Sequence, residues 1–198
     1  MCYFCPAVLE ALIALCTEQG FAFYLAGGMA MRGCALAGQG RVEEGIAEIR
    51  QGLAAIRATG AEVGRRWFLA QLAAAYGQSG QAAEGLTLLT EALASVPATG
   101  EHYWEPELYR LQGELLLALS AERHTEATAC FQQALNVARQ QQAKSLELRA
   151  AMSLSRLWQH QGQQGAAREL LTPIYGWFTE GFDTADLQEA QALLEALT

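Results

Sequence analysis

The chain has 198 residues, rich in helix formers (37 Ala, 29 Leu, 18 Gln) and with only 10 Val and Ile together, which excludes a large sheet. Hydrophobic residues make up 52% and charged residues 17%, which excludes a disordered chain. A net charge of −8, from 21 acidic and 13 basic residues, argues against both nucleic acid and an anionic membrane as partners.

The first predicted element, residues 6–19, reads as the second helix of a repeat whose first helix is missing or degenerate. Its apolar stretch holds Glu10 and Glu18 and lacks a basic start, so neither a signal peptide nor a membrane span fits, and a cytoplasmic protein is expected. The cysteines at 2, 5, 16, 34 and 130 agree with that compartment. Cys2 and Cys5 have zinc-like spacing, but no second pair or His cluster completes a site, so free thiols are expected.

From residue 21 a repeat sets in. A glycine closes an apolar run at Gly40, Gly80 and Gly162, and a small residue follows five positions later at Gly45, Gly85 and Ala167. Ile49, Leu89 and Leu171 come next, then Leu53, Leu93 and Tyr175. The remaining copy runs through Leu111, Gly113 and Leu116 to Ala127, Phe131, Ala134 and Leu135, with a longer turn, ALSAERHTEA. Each unit reads as two helices joined by a turn. Leu69, Leu72, Ala73 and Tyr76 form one helical stripe, Gly80 supplies a left-handed turn, and Pro97 helps end the second helix. Repeats are placed at about 21–59, 61–98, 103–142 and 145–180. Pro173 is expected to kink the last of these near Glu169. Asp183 and Asp186 open a capping helix over 184–197, with Leu187, Ala190, Leu193, Leu194 and Leu197 on its buried stripe.

The order of residues resembles the tetratricopeptide repeat (TPR): Leu72-Ala73, Tyr76, Gly80, Gly85, Leu89, Ala92 and Pro97 in the second copy; Leu111, Gly113, Ala127, Phe131 and Ala134 in the third; Leu154, Trp158, Gly162, Ala167 and Leu171 in the fourth. The repeat step of about 40 residues is longer than usual for that motif. The segments GQGRVEEGIAEIRQGLAAIRATGAE, ELYRLQGELLL, CFQQALNVARQQQAKSLELRAAMSLSRLW and YGWFTEGFDTADLQEAQALLEAL resemble the C-terminal repeats of bacterial multidomain proteins. Those proteins join a nucleotide-cyclase or DNA-binding module to an AAA-like ATPase, and the likeness runs from about Ala11 onward. It implies an all-α, right-handed helical-hairpin solenoid of about four helix pairs plus terminal helices. The repeats then act as a sensing or docking surface within a signalling system.

Motifs for chemistry are lacking. Gly28-x4-Gly33 has phosphate-loop spacing, but Cys34 stands where lysine belongs, and Gly38-x-Gly40 lacks a third glycine. His102, His124 and His160 have no metal-binding or catalytic partner at helical spacing, and no GxSxG elbow exists. Glu101, Glu105, Glu107 and Glu114 read as a solvated face. No cofactor and no catalytic activity are therefore expected.

What remains is a surface. The resemblance implies that the first helix of each pair lines a concave groove. That projection gives Trp67, Ala70, Ala74 and Gln78, then Glu107, Arg110, Glu114 and Leu117, then Arg149, Met152, Arg156, Gln159 and His160. Arg110, Arg149 and Arg156 form either a track for carboxylates or, the favoured alternative, surface pairs neutralised by Glu107, Glu114 and Glu147. Trp67 is either an exposed anchor or a core residue. The leading expectation is a non-enzymatic scaffold that holds a peptide or helix in the groove. A small-molecule sensor and a homo-oligomer joined through apolar end faces are the alternatives.

Overall fold

The computed structural model describes residues 5–94 and 102–197, so Cys2, Pro97 and Glu101 lie outside the described residues. Among these residues the chain forms ten α-helices and no strand. It divides into two compact units, Met1–Ala92 and Leu93–Thr198, each with its own core.

In the first unit α1 (Pro6–Gln19) packs on α2 (Ala22–Gly38), α2 pairs with α3 (Val42–Ala58), and α4 (Arg65–Gln78) lies against both α2 and α3. Helix α5 (Ala82–Ala94) follows. One cluster joins Cys34, Ala37, Ile46, Ile49, Leu72 and Ala75, with Trp67, Tyr76 and Leu88 packed against it. The α2–α3 contact is very close because three glycines lie in it. A Cβ on Gly33 would stand 2.7 Å from the Ile49 amide nitrogen, and one on Gly45 would stand 2.6 Å from the Gly33 carbonyl oxygen. These are packing glycines, so the spacing of Gly28 and Gly33 serves helix contact.

The second unit repeats the hairpin. Helix α6 (Glu105–Leu119) pairs with α7 (His124–Gln140), and α8 (Lys144–His160) pairs with α9 (Gln164–Tyr175). Helix α10 (Ala185–Ala196) packs on α8 and α9. The first helices also touch in series, α6 on α8 and α8 on α10, which creates an inner layer. Phe131, Leu108, Leu148, Leu154 and Leu171 are fully buried. Pro173 falls within α9, and Thr184 rather than Asp183 holds the N-cap position of α10, where its hydroxyl donates back to the Gly181 carbonyl at 2.7 Å and caps no α10 amide. Leu187, Ala190, Leu193 and Leu197 are buried inside this unit, so this stripe is core rather than an apolar end face open to a second copy.

The turns follow from backbone chemistry. Gly40, Gly80 and Gly162 all have positive φ, at 85°, 78° and 75°. The amide after each donates back five residues, as from Gln163 to the Trp158 carbonyl at 2.8 Å. Gln142 occupies the equivalent left-handed position after α7, at φ 55°, without being glycine. Gly162→Ala is therefore expected to cost about 1 kcal/mol and Gln142→Gly to gain about as much, measured by urea unfolding. The hairpin α6–α7 turns differently. Ser120 is extended, its hydroxyl accepts from the Glu122 amide at 3.2 Å, and a short 3₁₀ turn covers 121–123.

Candidate docking cleft

Three helices of the second unit place polar side chains on the inner layer. Glu107, Arg110 and Glu114 lie along one face of α6, and Arg149, Ser153, Arg156 and His160 along one face of α8. Asp186 and Glu189 continue on α10. Helical spacing alone aligns each row, and the serial contact of α6, α8 and α10 brings the rows together.

The centre is a buried ionic network. Arg110 grips Glu107 in a bidentate pair, Nε to Oε2 and Nη2 to Oε1, both at 2.8 Å. Its Nη1 donates to Glu114 Oε1 and to Ser153 Oγ at 3.3 Å, and Ser153 Oγ donates on to Glu114 Oε1 at 2.9 Å. Arg149 Nη2 approaches Glu107 Oε1 at 3.0 Å, with Asp186 on its other side. Glu107 is only 3% exposed and Arg110 8%. Burial alone would raise the Glu107 carboxyl, but Arg110 and Arg149 outweigh it and hold the group below the ordinary carboxylate range.

Beyond the network opens a cleft of about 450 Å³. Leu117, Phe131 and Leu157 supply its apolar floor, and Glu114, Ser153, Arg156, His124 and His160 its polar rim, with Ala121 of the 3₁₀ turn also lining it. Gly113 lets α6 sit against the Phe131 ring: a Cβ there would lie 2.5 Å from Cε1. Arg156 Nη2 donates to Glu189 Oε2 at 2.9 Å. The longer turn before α7 places Ala121 and His124 at this cleft.

The structure brings together Glu107, Arg110, Glu114, Arg149 and Arg156, and puts Glu114, Arg156, His160 and Leu117 on one cleft. Several expectations need correction. Glu107 is not on a solvated face, and the Glu107–Arg110 pair is not a surface pair, because α8 buries both. Glu147 does not serve the arginine row: it pairs with Arg139 and Lys144 at 2.8 Å each. Met152 is buried, so it lies in the core and lines no groove, and Ala70 is likewise buried. Trp67 is half-buried and packs against both core clusters of the first unit, edge-on to Phe68 at 4.8 Å, so it is tied to the core rather than standing as an exposed anchor. Gln78 is exposed at the end of α4, and Gln159 Nε2 donates to the Ala196 carbonyl at 3.3 Å. His102 does have a carboxylate partner at helical spacing, Glu105, at 3.0 Å on the surface.

Ala121, His124, Phe131, Ser153 and Leu157 are the cleft residues the sequence reading did not place on the groove. Ser153 was detectable, since it falls four residues after Arg149 and three before Arg156 on the same helical face. Among the described residues no group of three or more His, Cys, Asp or Glu is placed to hold a metal ion, and no helix is long and apolar enough to cross a membrane.

Repeated antiparallel hairpins with glycine turns, small residues in the contacts and serially packed first helices define an all-α, TPR-like repeat fold. Solved structures share it. The chain is similar to the nearly identical TPR-like repeats of a Podosopora anserina kinesin light chain-like protein, with 21% identity over 98% of this chain and 86% of that one, at a TM-score of 0.59. A single-residue variant of those repeats gives 22% identity over 86% and 84%, at a TM-score of 0.60. No protein-family model and no curated protein matches the chain.

Proposed function

We propose that the chain is a non-enzymatic protein-interaction scaffold that holds a peptide or helix in the cleft between α6, α7 and α8. The observation that carries this reading is the cleft itself: an apolar floor of Leu117, Phe131 and Leu157 beneath a polar rim on which the buried network holds Glu114 and Ser153. Apolar burial supplies affinity and the rim supplies orientation, as in other helix-in-groove recognition. The Ser153 hydroxyl is engaged with Glu114, which suits positioning rather than nucleophilic attack. The resemblance of the repeats to bacterial multidomain signalling proteins supports a sensing or docking role in such a system, in the cytoplasm.

Panning a random-peptide display library on the protein tests the reading. Enriched peptides are expected to bind the wild type and to lose about tenfold or more with Leu117→Gln, which removes half-buried apolar surface without adding charge. Enriched peptides indifferent to Leu117→Gln would contradict the assignment of the cleft. A small-molecule sensor is the second reading, favoured by a cleft volume within the range of ligand pockets. Self-association is favoured by the exposure of Val8, Leu15, Phe21 and Tyr24 at the start of the first unit.

A further inference from the structure

Building on the docking reading above, we infer that the occupant of the cleft is a basic peptide segment, whose Lys or Arg side chain meets Glu114 while a neighbouring apolar side chain fills the floor. Two observations carry the sign of the charge. Both hydrogen bonds that hold Glu114, from Arg110 Nη1 and Ser153 Oγ, fall on Oε1. The carboxylate is thereby fixed in place, while its side chain remains 41% exposed at the rim. A fixed, half-exposed carboxylate beside an apolar floor is a ready acceptor for a cation, because the ordering cost has already been met within the fold.

The surroundings agree. Leaving aside the rim imidazoles of His124 and His160, three guanidinium groups, Arg110, Arg149 and Arg156, face four carboxylates, Glu107, Glu114, Asp186 and Glu189, on the inner layer, which leaves one negative charge in excess. The arginines are committed elsewhere. Arg110 is buried in its bidentate pair with Glu107, and Arg156 is held by Glu189. An acidic segment would have to displace Glu189 and approach Glu114 uncompensated. The net charge of −8 further favours encounter with a basic chain.

Fluorescence anisotropy with three end-blocked, labelled peptides tests the inference on the full chain at low salt. The peptides share a central Leu-Leu pair and differ only in flanking Lys/Arg, Gln or Glu. The basic peptide is expected to bind about tenfold or more tighter than the Gln peptide. Glu114→Gln keeps the acceptor that Arg110 and Ser153 use but removes the charge; this variant should bring binding of the basic peptide down to that of the Gln peptide. A basic preference that survives Glu114→Gln would overturn the inference, since it would come from the general field of the chain. If the Gln or Glu peptide binds as tightly as the basic one, yet still responds to Leu117→Gln, the choice of occupant fails and the docking reading stands. If no peptide binds here and panning also returns nothing, both fail.

Discussion

Replacing Arg110 with alanine is expected to destabilise the second unit by about 3–5 kcal/mol, the range for removing one partner of a buried ion pair. The variant strands Glu107, 3% exposed, without its bidentate partner, and also removes a donor from Glu114 and Ser153. Hydrogen exchange in α6 and α8 measures it: amides that open only globally in the wild type should open far more easily. Combining Arg110→Met with Glu107→Leu is expected to recover most of the loss, because no charge is then left buried. The same network sets a pH dependence. The folded Glu107 carboxyl lies below its ordinary value, so its contribution is present above the ordinary carboxylate range and is lost as pH falls through the lowered folded value. Reversing Arg110, Arg149 and Arg156 together is for this reason a folding lesion rather than a clean probe of binding.

In the first unit, Gly52→Val is expected to cost about 3 kcal/mol or more, at the upper end of overpacking penalties. A Cβ at this position would lie 2.6 Å from Ala30 Cβ and 2.8 Å from the Ala26 carbonyl oxygen. Backbone rather than a flexible side chain stands in the way, so α2 and α3 must separate. The gain in helix propensity over glycine, about 1 kcal/mol, does not offset this. Gly165→Ala is the control: nothing lies within 4 Å of its Cβ position, and it should be neutral or stabilising. Thermal unfolding of both variants by circular dichroism distinguishes tight packing from a generic glycine effect.

The fold class was legible because its signals are local. Gly40, Gly80 and Gly162 mark left-handed turns, and rows such as Leu69, Leu72, Ala73 and Tyr76 mark one buried helical face. The α6–α7 turn was legible only as a length difference. Its consequence, Ala121 and His124 at a cleft, depends on where the neighbouring α8 lies. The polar face was partly legible, since helical spacing aligned Glu107, Arg110 and Glu114, and Arg149 with Arg156. Their burial was not, because a charged residue on a first helix is exposed or sealed according to the helix that packs over it. Met152 shows the same limit from the apolar side. One residue before Ser153, it turns into the core while the serine joins the network.

Chemical-shift mapping of the ¹⁵N-labelled protein with a panned peptide tests the central claim most directly. Shifts concentrated on Glu114, Leu117, His124, Ser153, Arg156 and Leu157 are the predicted result. Shifts confined to the first unit, or to the exposed apolar residues around Val8 and Tyr24, would contradict it.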